Sequence, residues 1–180
     1  MPGVAVDLDE QLAKLKTVCG DYESEYRGNK TYLEAASNGA GPGFGYIEAQ
    51  CLHSVIRHYK PKNIVEVGSG VSTICMLEAL RLNEEESGEK GSLTAIEPSP
   101  SARLKSLKDI QLNVSEVQAV SFESFSHLGH NDFLFIDSSH AVKPGGDVNY
   151  LVLEVLPRLK PGVIVHFHDI CFPTTTSRTR

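Results

Sequence analysis

The sequence lacks the features of a membrane span, an export signal or a paired-cysteine site. No apolar stretch approaches the roughly 18 residues of a transmembrane helix. The N-terminus has no basic region followed by an apolar one, which predicts no signal peptide and a cytoplasmic protein with reduced thiols. No C-x-x-C pair, and hence no zinc-ribbon or thioredoxin motif, occurs among the four cysteines, which are Cys19, Cys51, Cys75 and Cys171.

The chain also lacks an excess of basic residues. It has 17 Lys and Arg against 23 Asp and Glu, for a formal net charge of −6. Because a nucleic-acid backbone attracts a basic surface, we expect no nucleic-acid partner, and the missing apolar span predicts no membrane partner. The 180 residues predict one domain, and a hydrophobic content of 41% is enough to bury a core.

Residues 62–73, KNIVEVGSGVST, carry the most informative pattern. The β-branched run at 64–67 is typical of a strand that is buried on both faces of a parallel sheet. Gly68 and Gly70 then favour a tight turn, and apolar residues continue at helical spacing after Thr73. Strand, glycine turn and helix together predict a polar cradle for a ligand at the start of the helix.

Strands and helices alternate along the rest of the chain. The pattern predicts helices at 46–59, 72–82 and 147–158, a solvated loop at the charge run 83–91, and strands at 64–67, 92–96, 112–117, 132–136 and 163–167. This order predicts an α/β fold, namely a Rossmann-like doubly wound parallel sheet of five strands.

Composition divides the chain into three regions. Residues 1–45 are predicted to form an N-terminal helix that packs on the domain, followed by a glycine-rich connection. Residues 46–172 form the ligand-binding domain. Residues 173–180 have no apolar periodicity, which predicts a disordered tail.

Polar side chains follow four of the five predicted strands. Glu66 ends the first strand, Glu97 the second, Asp137 the fourth, and the pair His168 and Asp169 the fifth. In a doubly wound sheet, ligands bind outside the carboxyl ends of the strands, near the point where the strand order reverses. We therefore expect these side chains to surround one site.

The turn and the strand ends resemble class I S-adenosylmethionine (SAM) dependent methyltransferases over most of residues 44–171. The resemblance is carried by the glycine turn 66–70, by Glu97, by Asp137 and by the Lys-Pro-Gly turn at 160–162. It implies SAM as cofactor and a Rossmann-like fold.

The same resemblance implies a set of cofactor-binding residues. Glu97 would accept hydrogen bonds from both ribose hydroxyls, because a carboxylate accepts and does not donate. The glycine turn would approach the methionine part of SAM, and Pro98 and Phe122 would border the adenine. Residues 118–120 depart from the family by lacking an acid. The complete implied set is Glu66, Gly68, Ser69, Gly70, Ser72, Thr73, Glu97, Pro98 and Phe122.

The acceptor half of the site resembles the metal-dependent small-molecule O-methyltransferases. That family has an Asp after strand four and an acidic pair after strand five, where this chain has Asp137, His168 and Asp169. The resemblance implies a divalent metal on these three residues, and a His ligand favours a transition metal. The alternative is a metal-free site in which His140 or His168 is the general base. The expected acceptor is a small molecule with a hydroxyl group.

Other functions stay open at this stage. One is a SAM-binding module without turnover, and another is a metal-dependent hydrolase built on His140, His168 and Asp169. A dinucleotide-dependent dehydrogenase is disfavoured because Thr73 stands where the third glycine of its motif belongs. The C-terminal hairpin of class I methyltransferases is missing from the sequence, which predicts that a homodimer covers the edge of strand five.

Overall fold

A parallel sheet forms the centre of the computed structural model, which describes residues 7–40 and 43–170. Its strands, in chain order, are β1 Asn63–Val67, β2 Ser92–Ile96, β3 Gln111–Asn113, β4 Phe133–Ile136 and β5 Ile164–Phe167. They lie in the order β3-β2-β1-β4-β5, and every neighbouring pair is parallel. The predicted Rossmann-like sheet of five strands is confirmed.

Helices connect the strands and precede the sheet. They are α1 Leu8–Gly20, α2 Glu23–Tyr26, α3 Lys30–Ser37, α4 Tyr46–Tyr59, α5 Val71–Ser87, α6 Ala102–Lys105, α7 Glu123–Ser126 and α8 Asp147–Tyr150. A 3-10 turn covers Val117–Ala119, and α8 continues as a π-helix over Leu151–Val155 and a 3-10 turn over Leu156–Arg158. Within the described ranges, no helix has the length and the apolar character needed to cross a membrane.

The sheet is buried on both faces, as its apolar strands require. Along β4, alternate side chains enter different clusters: Phe133 and Phe135 pack in the cluster that contains α4 and α5, whereas Leu134 and Ile136 pack against the helix that follows α8. The alternation also fixes the direction of Glu66. In β1 this residue points to the same face as Ile64, towards α5, and it is fully buried.

Helix α5 is longer than the sequence pattern predicted. The charge run at 83–91 was expected to be a loop, but α5 continues to Ser87 and ends at Gly88, which has a φ of 74°. Ion pairs explain the extension, because the acidic residues of the run bind bases on two helices: Glu85 pairs with Arg81, and Glu86 pairs with Arg57 and Lys60. The two pairs of Glu86 come from tertiary packing, which a local charge pattern does not reveal.

Three further expectations differ from the structure. Strand β3 ends at Asn113 rather than at 117, because the chain turns there into the 3-10 helix. Part of the expected connection at 21–45 folds into α2 and α3. Helix α1 packs on α4 with only Val18 buried among its residues, so the leucines at 8, 12 and 15 are exposed. The predicted tail at 173–180 lies outside the described residues.

Candidate functional site

The carboxyl ends of the strands meet at one edge of the sheet. The order of the strands reverses between β1 and β4, so the residues directly after these two strands flank the crevice. Backbone hydrogen bonds continue the sheet by one residue there: the amide of Asp137 donates to the carbonyl of Val67 at 2.8 Å, and that of His168 donates to Ile136 at 2.8 Å. The structure thus places Asp137 and His168 at the ends of neighbouring strands on this edge.

Gly68 allows the closest approach in the site. Its φ is +82°, a conformation that L side chains rarely adopt, and an added Cβ would lie 2.0 Å from the carbonyl oxygen of Asp137. Gly70 is less demanding, because its φ of 179° is extended and its nearest neighbour would be the Ala40 carbonyl at 3.2 Å. Only glycine fits at 68, where the turn packs directly against the backbone of Asp137 at the end of β4.

A buried carboxyl group stabilises the glycine turn through hydrogen bonds. The hydroxyls of Ser72 and Thr73 donate to the two oxygens of Glu66, each at 2.6 Å, and the Gly70 amide donates to the Thr73 hydroxyl at 3.0 Å. Burial raises the pKa of Glu66 to about 8, although the two hydroxyl donors oppose the shift. These three side chains point into the protein, so they support the turn; their predicted part in cofactor binding stays a prediction.

Glu97 lies at the mouth of the crevice with both oxygens fixed. The amide of Ser69 donates to Oε2 at 3.1 Å, and the amide of Ser99 donates to Oε1 at 2.8 Å. Each oxygen keeps a second acceptor direction, so the half-buried carboxylate is oriented to receive two further donors. The Ser69 hydroxyl is buried and has no hydrogen-bond partner among the described residues.

These groups border a cavity of about 350 Å³. Its lining includes Gly68, Glu97, Pro98 and Asp137, as the sequence predicted. Phe122 does not line it: the ring packs against Phe125 and lies 3.8 Å from the Arg158 guanidinium. Sequence reasoning missed several lining residues, which are Glu116, Val117, Gln118, Ser138, Ser139, Lys143 and Asp147.

The missed segment after β3 places polar groups where Phe122 was expected. Gln118 donates from its Nε2 to Glu116 at 2.9 Å, and Val117 between them is buried. The sequence pattern extended β3 through this segment, so it read 116 and 117 as strand rather than as the wall of a cavity. The signal in the sequence is the pair of polar residues Glu116 and Gln118 on either side of apolar Val117, a few residues beyond the short strand β3.

Carboxylates and histidines converge beside this cavity, at the ends of β4 and β5. One potential ligand atom from each of Asp137, His168 and Asp169 lies within 4.8 Å of the others. His140 joins them, because its Nε2 lies 3.1 Å from Asp137 Oδ1 and 3.8 Å from Asp169 Oδ2. His168 is buried, and its Nε2 lies 3.5 Å from Asp169 Oδ1. The arrangement offers two carboxylates and the His168 imidazole to one position, and the His140 imidazole lies beside both carboxylates.

Backbone strain coincides with this cluster. His140 and Asp169 have φ values of 55° and 54°, in the left-handed region. Such a conformation costs a non-glycine residue roughly 1 kcal/mol or more, and it persists where the surrounding structure holds it in place. The side chains of these two residues face each other, with His140 Nε2 3.8 Å from Asp169 Oδ2. This is typical of a functional site.

We expect the buried Glu66 to make folding depend on pH. Its pKa is about 8 in the folded protein and near the ordinary 4.5 in the unfolded chain, so the folded state binds more protons between these values. The free energy of unfolding therefore falls as the pH rises from about 5 to 8. Glu66→Gln stays neutral and should lack this contribution.

The measurement is urea unfolding of wild type and Glu66→Gln at several pH values. The difference between the two free energies of unfolding should move in favour of the variant as the pH rises. Exposed Glu154→Gln is the matched control and should follow wild type. A difference that does not change with pH would contradict a raised pKa at Glu66.

Comparison with known proteins agrees with this geometry. Among curated proteins, an uncharacterized protein of Archaeoglobus fulgidus is 28% identical over 138 residues, which are 72% of this chain and 60% of that protein. The chain thus spans about 60% of the length of that relative.

Two solved structures resemble this chain to different degrees. The SAH-bound methyltransferase PaMTH1 of Podospora anserina has a TM-score of 0.50 and 16% identity, with 91% of this chain and 71% of that one covered. A putative caffeoyl-CoA O-methyltransferase of Staphylococcus aureus has a TM-score of 0.45 and 19% identity, with 88% and 73% covered. A methyltransferase-domain family matches residues 65–170, more than half of the chain. The chain belongs to this family and is a member of the class I SAM-dependent methyltransferases.

Proposed function

We propose that this chain transfers a methyl group from SAM to the hydroxyl of a small molecule. The observation that carries the proposal is Glu97, whose carboxylate is fixed by two backbone amides at the mouth of the cavity. A fixed pair of acceptors suits a vicinal diol such as that of a ribose. Family membership sets the hydrolase and dehydrogenase alternatives aside.

The residues present fit SAM. Gly68 of the turn lines the cavity, and the Ser69 hydroxyl beside it is a buried polar atom that lacks a partner in the described structure. A bound molecule with polar atoms at the turn would supply one. Glu97 would hold the ribose, and Pro98 with Gln118 would border the base.

Methyl transfer asks the protein mainly for position and for a deprotonated acceptor. When bound, SAM supplies a methyl group that its sulfonium has already activated. The chain must therefore align an acceptor oxygen and accept its proton. His140 suits proton acceptance, because the Asp137 carboxylate at 3.1 Å stabilises the imidazolium that would form.

A divalent metal is the second way to activate the acceptor. Asp137, His168 and Asp169 present a ligand set of two carboxylates and one imidazole, which suits a transition metal better than magnesium. A metal held there would lower the pKa of a bound hydroxyl. Activation by a metal and activation by a His140 base can be told apart by experiment, because only the metal route requires Asp169 to bind a cation.

An apolar groove next to His168 supports an acceptor with a planar, hydrophobic body. The groove has a volume of about 390 Å³ and lies between α4 and the strands β4 and β5. Two rings of its lining face His168: Phe44 at 5.1 Å and Phe135 at 6.2 Å between centroids. Apolar walls that lead to a polar end favour a substrate with one polar reacting group.

We expect micromolar binding of SAM and of its demethylated product S-adenosylhomocysteine. Glu97→Ala should weaken both by about tenfold or more, roughly 1.4 kcal/mol, because two hydrogen bonds to the ribose are lost. Isothermal titration calorimetry measures this, with exposed Glu154→Ala as the control that keeps wild-type affinity. Binding by wild type without transfer to any acceptor would identify a module without turnover, and no binding at all would overturn the proposal.

Metal binding is tested separately, with Mn²⁺ or Zn²⁺ as the probe. Asp169→Asn should weaken the measured affinity at least about tenfold, because a carboxylate ligand becomes a neutral amide. Asp109→Asn, in an exposed residue that pairs with Lys90, is the control. Equal affinity of wild type and Asp169→Asn would remove the metal from the proposal and leave His140 as the base.

A homodimer that covers the edge of β5 stays a prediction. In the described sheet β5 is the last strand beyond β4, and Val165 is partly exposed on it. Unpaired edge strands tend to pair with another chain. Size-exclusion chromatography with light scattering should therefore give the mass of two chains, and the mass of one chain at micromolar concentration would refute the dimer.

A further inference from the structure

Helix α1 exposes three leucines, Leu8, Leu12 and Leu15, which form what we call the leucine row. They are spaced four and three residues apart, so they lie along one face of the helix. Each of the three is between 45% and 65% exposed, whereas Val18, which lies on another face of α1, is buried. A row of large apolar side chains in contact with water marks a surface that a partner can cover.

The helix itself gains little from the rest of the chain. Val18 is the one buried residue among the 13 residues of α1. A helix shorter than about 12 to 15 residues is marginal in water on its own, because helices in proteins are stabilised mainly by packing of an apolar face. Covering the leucine row would therefore stabilise α1 and would also remove apolar surface from water.

Two charged residues flank the leucine row on the same side. Asp9 and Lys16 are seven residues apart, which is close to two helical turns, so both project from one flank of the row. Both residues are exposed, so their charges are available to a partner. The other charged residues of α1, Glu10 and Lys14, point away from the row. One flank of the row thus has an acid near its N-terminal end and a base near its C-terminal end.

We propose that α1 is a self-association surface, on which α1 of a second copy of this chain packs antiparallel. A two-fold axis perpendicular to the two helices brings Asp9 of each copy opposite Lys16 of the other. The leucines of the two rows interdigitate between these ion pairs, as side chains do in a coiled coil. In a parallel pair the charged flanks would lie on opposite sides, so the charges favour the antiparallel arrangement.

The association should be weak and reversible. One pair of short helices falls at the small end of protein interfaces, below about 1,200 Å² in total, where complexes are transient. We therefore expect the α1 pair to form at about 100 µM and to dissociate at about 1 µM. The surface differs from the edge of β5 and does not depend on methyl transfer.

Sedimentation velocity of the full chain tests the proposal. The readout is the change in average mass between about 1 and 100 µM, which should rise towards a factor of two for wild type. A tighter dimer through β5 would raise the mass at both concentrations and would not by itself produce this rise. Leu12→Gln should abolish the rise, because a polar amide replaces the leucine at the centre of the row.

Charge reversal tests the pairing. Asp9→Lys and Lys16→Asp should each weaken the association at least about tenfold, because like charges would then face each other. The double variant restores both pairs with their signs exchanged and should associate like wild type. Glu10→Lys and Lys14→Asp make the same changes in charge away from the row, so they are the matched controls and should behave like wild type.

An average mass that stays constant between the two concentrations would overturn the proposal. A rise that Leu12→Gln and the single reversals leave intact would also overturn it, and would assign the association to another surface such as the edge of β5. Single reversals that the double variant fails to rescue would contradict the antiparallel pairing of Asp9 with Lys16. Circular dichroism melting curves establish that each variant is folded, so that a lost rise reports on the surface of α1.

Discussion

The buried carboxyl group of Glu66 is the constraint on which the site depends. Removing a carboxyl from water is costly unless hydrogen bonds replace the lost solvation, and here the hydroxyls of Ser72 and Thr73 do so. Those hydroxyls belong to the first turn of α5, and the Thr73 hydroxyl also receives the Gly70 amide. Glu66 therefore ties the end of β1 to the start of α5 and sets the path of the glycine turn between them.

Much of this arrangement is encoded locally and follows from the sequence. The predicted strand at 92–96 coincides with β2, and the one predicted at 132–136 differs from β4 by one residue, because buried parallel strands are rich in apolar residues. Polar residues that end these strands fall at one sheet edge by topology alone, which is why Glu97 and Asp137 were placed together without coordinates. The fold is thus readable from residue pattern and strand order, whereas the cofactor class is what the resemblance to a known family implies.

Features that arise from tertiary contact were not readable. The charge run at 84–86 has the composition of a loop, yet ion pairs to Arg57 on α4 and to Lys60 directly after it keep the run helical. Phe122 has the aromatic character of a base-stacking residue, but Arg158 covers its ring, and Gln118 lines the cavity instead. Each case depends on a partner distant in sequence, which neither periodicity nor spacing can supply.

Asp137 links the two halves of the proposed reaction. Its carbonyl oxygen packs against Gly68, so its backbone bounds the glycine turn, while its Oδ1 contacts the His140 imidazole. A methyl donor bound at the turn would consequently be positioned by the backbone of Asp137, and a base at His140 by its side chain. Neither can shift without moving the strand end that also hydrogen-bonds to Val67. Methyl transfer is accelerated mainly by aligning the methyl donor with the acceptor, and in the proposed reaction Asp137 is the residue that would set this alignment.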